Sequence, residues 1–249
     1  MQTQSQKFRF ARTMNSGMIY RALKEDIFTL KLHPGQMLSE NVIAEQYSVS
    51  RTPVKNAFIR LEQEGFIEVV PQKGTFVTLI DFRQIQDILY MRYVLEVDML
   101  RTIMNKPYIE DVAKKLQDNL NEQKQLIFSG KSKPASFHEL DSEFHHLLFS
   151  QVGREHIWSI IQDNEVNYTR FRILDTYVTA RYNQLYQEHM DILEALCDRD
   201  EKRMQQNVYN HLHSLLDRFS QEATGEHRDY LANFPPETDD DFKGVKYGT

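Results

Sequence analysis

Residues 48–77 read SVSRTPVKNAFIRLEQEGFIEVVPQKGTFV, and the order of patterns inside this stretch decides the fold. Ser50 stands just before a helical run. Pro53 falls in the first turn, where its missing N–H costs nothing. Val54, Ala57, Phe58 and Leu61 recur at helical spacing and make one buried stripe. Gly65 ends the helix. Residues 66–70 and 75–79 then have β-type composition, and Pro71-Gln72-Lys73-Gly74 joins them as a hairpin.

Working outward, residues 17–31 place Ile19, Ala22, Leu23, Ile27 and Leu30 at a helical period. His33-Pro34-Gly35 stops that helix. Ser39 is positioned to cap a short second helix holding Val42, Ile43 and Ala44. Three helices followed by a two-stranded hairpin is the order of a winged helix-turn-helix. Ser50, Arg51, Thr52 and Lys55 stand at the N-terminal end of its third helix, the end that enters a major groove in such motifs. That end also offers N–H groups and a positive dipole to phosphate. Arg60, off the buried stripe, and Lys73-Gly74 at the wing tip complete the candidate DNA-binding set.

Composition sets the frame. The chain has 249 residues, 41% hydrophobic and 27% charged, as soluble globular proteins do. No apolar run approaches the ~20 residues of a membrane helix. The opening MQTQSQKFRFARTMNSG lacks the apolar core of a signal peptide. A single cysteine, Cys197, excludes an internal disulfide. A cytoplasmic protein with no membrane partner is expected. Residues 1–80 hold 10 Lys+Arg against 7 Asp+Glu, whereas the rest hold 20 against 29. Two units with different partners fit that split.

From residue 81 the pattern is almost wholly helical. Helices are expected near 82–104, 108–129, 134–152, 154–176, 180–198 and 201–222. The fold class is therefore mostly α: a winged helix-turn-helix over 1–80, an all-α bundle over 81–222 and a tail over 223–249. In the tail, Tyr230, Leu231 and Phe234 are expected to dock on the bundle, and residues 239–241 form a solvated acidic run.

Inside the bundle, apolar stripes carry polar exceptions. Asp141, Phe144, His145, Leu148 and Val152 share one face. Leu185, His189, Ile192 and Leu196 share another, and Met204, Val208, His211 and Leu215 a third. Buried and unpaired, one carboxylate and three imidazoles are costly, so they need partners. His189 and His211 lie 22 residues apart with Asp200 at the midpoint. Folding back at Asp198-Arg199-Asp200 brings them level. Asp141 and His145 pair at i and i+4. This set suits a divalent transition metal such as Zn, Ni or Mn, with positions left open. His146 and His213 sit beside it on outward faces, and His33, His138, His156 and His227 fall in loops or helix ends. Arg92 lies in a stripe with Ile85, Leu89, Glu96 and Met99. It is placed either to hold a carboxylate or to pair with Glu96. Arg172 and Asn164 are further candidates for the wall of an effector cavity.

Residues 15–80 resemble the DNA-binding domain of the GntR family of bacterial transcription regulators. The resemblance rests on PGQMLSE (34–40), the apolar positions around Ala44, and 48–77. Lys55 stands where the family usually has arginine, keeping the charge without the planar fork. The bundle is similar to the FCD effector domain of the FadR-type branch. Metal-binding members carry Asp-x-x-x-His and then two histidines 22 apart, which Asp141, His145, His189 and His211 match. The resemblance implies a homodimer on a pseudo-palindromic double-stranded operator. It also implies a small organic acid, a carboxylate or sugar acid, completing the metal's coordination and relieving repression. An enzyme is not expected. The alternatives are a metal sensor without organic ligand and a metal-dependent hydrolase.

Overall fold

The computed structural model describes residues 14–130, 134–164, 166–222 and 226–234. The acidic run at 239–241 lies outside them. The described residues fall into two compact units. One runs to Thr78 without Phe28–Leu30; the other takes Phe28–Leu30 and everything from Leu79 on.

The first unit contains α1 (Ser16–Phe28), β1 (Met37–Leu38), α2 (Glu40–Gln46), α3 (Arg51–Gln63), β2 (Ile67–Val70) and β3 (Gly74–Val77). Most of the stripes expected from periodicity are inside: Ile19, Leu23 and Ile27 of α1 are buried, as are Val54, Ala57, Phe58 and Leu61 of α3, whereas Ala22 is half-buried and Leu30 lies past the end of α1 with φ of +57°. The sheet is a departure from a simple hairpin. Met37 and Leu38 pair antiparallel with Phe76 and Thr75, so the wing has three strands in the order β1-β3-β2. Two residues are too short a run to show strand periodicity in a sequence. Ser39 and Ser50 hold the N-cap positions in extended conformation, but neither side chain makes a cap hydrogen bond. Pro53, at the third helical position, removes one of the two N–H groups that the Ser50 hydroxyl could accept, leaving that of Thr52. Gly74 opens β3 with φ of +133°, and a Cβ there would sit 3.5 Å from Met37 Sδ. A side chain at the wing tip is therefore strained.

The second unit contains β4 (Ile80–Asp81), α4 (Phe82–Met104), α5 (Ile109–Phe128), α6 (Pro134–Ser150), α7 (Glu155–Asn164), α8 (Val166–Thr179), α9 (Tyr182–Cys197), α10 (Glu201–Glu222), α11 (Glu226–Asp229) and β5 (Leu231–Ala232). The single helix expected over 154–176 is two helices. Asp163, Asn164, Val166 and Asn167 at the junction are all weak helix formers. The Asn164 amide also turns back to the Ile160 carbonyl oxygen at 2.8 Å.

The core of this unit is continuous. Ile85, Leu89, Leu116, Phe144, Leu148, Ile192, Leu196 and Val208 all belong to one buried cluster. Burying each large side chain contributes about 1.5–3 kcal/mol relative to exposure. α9 and α10 form the expected hairpin. Arg199 takes φ of +55° at its turn, and Asp200 accepts the Arg203 N–H at 3.0 Å to start α10. The tail also docks as expected: Tyr230 and Leu231 are buried, and β5 pairs in parallel with β4. Among the described residues no helix is long and apolar enough to cross a membrane.

Candidate metal centre

α6 supplies Asp141 and His145 one turn apart, α9 supplies His189 and α10 supplies His211. One ligand-type atom from each lies within 4.8 Å of all the others, and all four residues are buried. The α9–α10 hairpin brings the His189 and His211 ring centroids to 4.5 Å. His145 and His211 stack at 5.1 Å, with their Nε2 atoms 3.1 Å apart.

The outer nitrogens explain the inner ones. His145 Nδ1 is 2.7 Å from Glu96 Oε2, His211 Nδ1 is 3.0 Å from Glu188 Oε2, and His189 Nδ1 is 3.0 Å from Gln123 Oε1. All three partners are acceptors, so each Nδ1 carries the proton and each Nε2 presents a lone pair. Gln123 is itself oriented, because its amide donates to Asn119 Oδ1 at 2.8 Å and Asn119 donates to the Leu140 carbonyl at 3.0 Å. His189 Nε2 is buried and has no hydrogen-bond partner, although Asp141 Oδ1 lies 3.3 Å away. Two lone pairs facing each other at 3.1 Å repel unless a cation lies between them. Nitrogens bound to one ion at ~2.0–2.1 Å stand about 3–3.4 Å apart. The donor set therefore fits a metal ion, and outer-sphere partners of this kind orient such ligands.

Arg172 of α8 grips Asp141 with both arms, at 2.5 and 2.6 Å. Each carboxylate oxygen keeps a second acceptor site for an ion. Burial alone would raise the Asp141 pKa; the Arg172 charge, together with His189 and His145, outweighs it and holds the group well below the ordinary carboxylate range. Glu96 behaves alike: burial opposes ionisation, but Arg92 and then His145 bring its pKa to about 2. Burial lowers His145 to about 3 and, with the neighbouring His211, His189 to about 4. Both imidazoles are thus neutral, the ligating form, at neutral pH.

The candidate effector residues divide. Arg92 is paired with Glu96 at 2.7 Å, and both are buried. Arg172 is at the cluster, on Asp141. Asn164 is not: it stands exposed at the end of α7, bonded to its own helix. His146 is partly exposed and pairs with Glu143, and His213 turns to the Tyr209 carbonyl, so both are outside the set. His138 differs from expectation. It lies within α6, one turn before Asp141, with Nδ1 buried and without a hydrogen-bond partner. Burial, then the Arg172 charge, lowers its pKa to about 4. Gln123 and Glu188 escaped the sequence reading as well.

In the winged unit, Ser50, Arg51, Thr52, Lys55, Arg60, Lys73 and Gly74 are all exposed. Arg51 pairs loosely with Glu40 at 3.2 Å. Arg60 is committed within the unit: its guanidinium carbon lies 3.7 Å from the Tyr20 ring centroid and its Nε donates to Glu64 at 3.0 Å. It braces α3 against α1 and is less available to DNA than sequence position implied.

A winged helix-turn-helix joined to a helical bundle is the make-up of a bacterial transcription regulator. The chain belongs to the GntR family of bacterial regulatory proteins, matched over residues 15–77, and carries an FCD domain, matched over residues 87–214. It is 30% identical over 197 residues to the HTH-type transcriptional repressor RspR of Escherichia coli (strain K12), covering 79% of this chain and 85% of that one. The gluconate operon transcriptional repressor of Bacillus subtilis (strain 168) is 25% identical over 192 residues, covering 75% and 77%. Among solved structures, E. coli McbR/YncC superposes with a TM-score of 0.60 at 20% identity, over 84% of this chain and 98% of that one. A GntR regulator from Rhodococcus sp. RHA1 gives 0.63 at 17%, over 83% and 98%. These two likenesses are of fold.

Proposed function

We propose that the chain is a metal-dependent, ligand-responsive repressor that acts as a homodimer on a pseudo-palindromic operator. The observation that carries the sensory half is the meeting of three imidazole lone pairs beside Asp141, each fixed by an acceptor on the opposite ring nitrogen. Asp141, His145, His189 and His211 hold one divalent transition ion of the Zn, Ni or Mn type. When bound, the ion offers open coordination positions to an oxygen ligand. A small organic acid, a carboxylate or sugar acid, takes those positions, with Arg172 and Arg92 as the cationic wall. Ser50, Arg51, Thr52 and Lys55 meet the major groove, and Lys73-Gly74 meets the backbone beside it. Ligand binding lowers operator affinity, a coupling of typically 1–3 kcal/mol in such systems.

Elemental analysis of purified wild-type, Asp141→Ala and His189→Ala protein tests the centre. About one ion per chain in the wild type, lost from both variants, is the expected result. No ion in the wild type after reloading with Zn or Ni refutes it. One observation favours a second reading, a metal sensor without organic ligand: both inward arginines are already paired with carboxylates, Arg92 with Glu96 and Arg172 with Asp141. In that case operator affinity responds to Zn or Ni alone, with no acid present.

A further inference from the structure

We propose that Asp81, together with the C-terminal clip that holds it, couples the Asp141 site to the segment by which the chain leaves the winged unit. The inference rests on the metal-centre reading for its input signal. Asp81 comes three residues after Thr78, the last residue of the first unit.

Three elements converge on this residue. Its carboxylate caps α4, accepting the Arg83 N–H at 3.0 Å. The same oxygen accepts the Asn233 amide, from the tail, at 3.1 Å. Its own N–H donates to Asn167 Oδ1, at the start of α8, at 3.2 Å, and Asn167 donates in turn to Gln84 Oε1 at 2.9 Å. The neighbouring Ile80 N–H donates to the Tyr230 carbonyl at 2.9 Å. Beneath them the Phe82 ring meets Phe234 edge-on at 4.8 Å and Phe171 at 6.2 Å.

α8 links this junction to the site. Asn167 ties its first turn to Asp81, Phe171 packs its next turn on Phe82, and Arg172 immediately after forks onto Asp141. Whatever reorients the Asp141–Arg172 fork therefore acts on the helix whose other contacts hold Asp81. β4 and β5 share only two residue pairs, so the clip is a small element that opens at low cost. An easily opened element tied to both the sensory site and the departing chain has the properties of a switch. The tail is thereby given a role: it sets how tightly the junction is held.

Hydrogen exchange by mass spectrometry on peptides covering 78–84 tests this, in the full-length wild type, Arg172→Lys and Phe234→Ala, with metal content measured on the same samples. Arg172→Lys loses the two-armed grip on Asp141. It is expected to speed exchange of the Ile80 and Asp81 amides about tenfold while the core amides of α5, such as Leu116, stay protected. Phe234→Ala is expected to speed the same amides and keep wild-type metal content. If Arg172→Lys also deprotects α5, wild-type protein with and without a chelator replaces it, with a change of about threefold expected at the same amides. Unchanged protection at Ile80 and Asp81 overturns the coupling. So does loss of metal in Phe234→Ala, which would make the clip a plain part of the core. A wild type without metal refutes the centre alone, and Arg172→Lys then decides the coupling.

Discussion

Gln123→Leu is the sharpest test of why the three histidines point as they do. Gln123 is not itself a proposed ligand; it acts through one. It is fully buried and accepts from His189 Nδ1 at 3.0 Å. Leucine keeps most of the volume and removes the acceptor. Two consequences follow. The metal-free fold carries an unsatisfied imidazole N–H, costing about 1–3 kcal/mol. His189 also loses what fixes its tautomer, so part of the population presents a protonated Nε2 to the ion. Losing an outer-sphere partner typically weakens metal binding 10–100-fold, or about 1.4–2.7 kcal/mol. Competition against a chromophoric chelator at neutral pH measures the affinity, and circular dichroism establishes that the bundle stays folded. A folded variant whose Zn affinity lies within about threefold of wild type refutes the assignment of the lone pairs.

Four further outcomes are expected. Glu96→Gln leaves the Arg92 guanidinium buried without its carboxylate and costs about 3–5 kcal/mol by denaturant unfolding; a loss under 1 kcal/mol counts against the pair as described. Metal-free protein loses stability as pH falls below about 6.5, because His145 and His189 take up protons in the unfolded chain while their folded pKa values are about 3 and about 4. Each contributes a slope approaching about 1.4 kcal/mol per pH unit, and equal stability at pH 7 and pH 5 contradicts this. His213→Ala retains its metal, since that ring stacks on Tyr209 outside the cluster. Lys73→Ala and Arg51→Ala each weaken binding to operator DNA and lower the salt slope by about 1, whereas an unchanged slope removes that residue from the charged contacts with DNA.

Much of this was legible in the sequence, for identifiable reasons. The four cluster residues stood out because each interrupts an apolar stripe, and a helix reports burial through its period. The same logic reaches Gln123: Val112, Leu116, Asn119, Leu120 and Gln123 share the buried face of α5, and Asn119 and Gln123 are its polar exceptions. An amide on such a face carries no charge or metal-ligating signature of its own, unlike an imidazole. Glu188 was illegible for the opposite reason. It lies beside the stripe of α9, and only the tertiary approach of α10 turns it toward His211. His138 sits near the start of α6, and a sequence does not separate a helix end in solvent from a helix start that is already packed. The break between α7 and α8 depends on a short run of weak helix formers, and the pairing of β4 with β5 on Ile80 and Asp81 meeting Leu231 and Ala232 far along the chain; neither leaves a periodic trace. Arg60 looked free because a sequence shows its charge but not the Tyr20 ring that occupies it.

The turn between α9 and α10 has a consequence for how the chain tolerates change. An α-helix advances about 100° and ~1.5 Å per residue. One residue gained or lost between Val208 and His211 would leave the turn chemistry intact, yet put His211 and Leu215 about 100° out of phase with Met204 and Val208, carrying His211 more than a quarter-turn away from its companions. The spacing of 22 is thus under a stricter constraint than the identity of most residues it spans. Substitutions along that interval can drift, while insertions and deletions there should be all but absent from any lineage that keeps the ion.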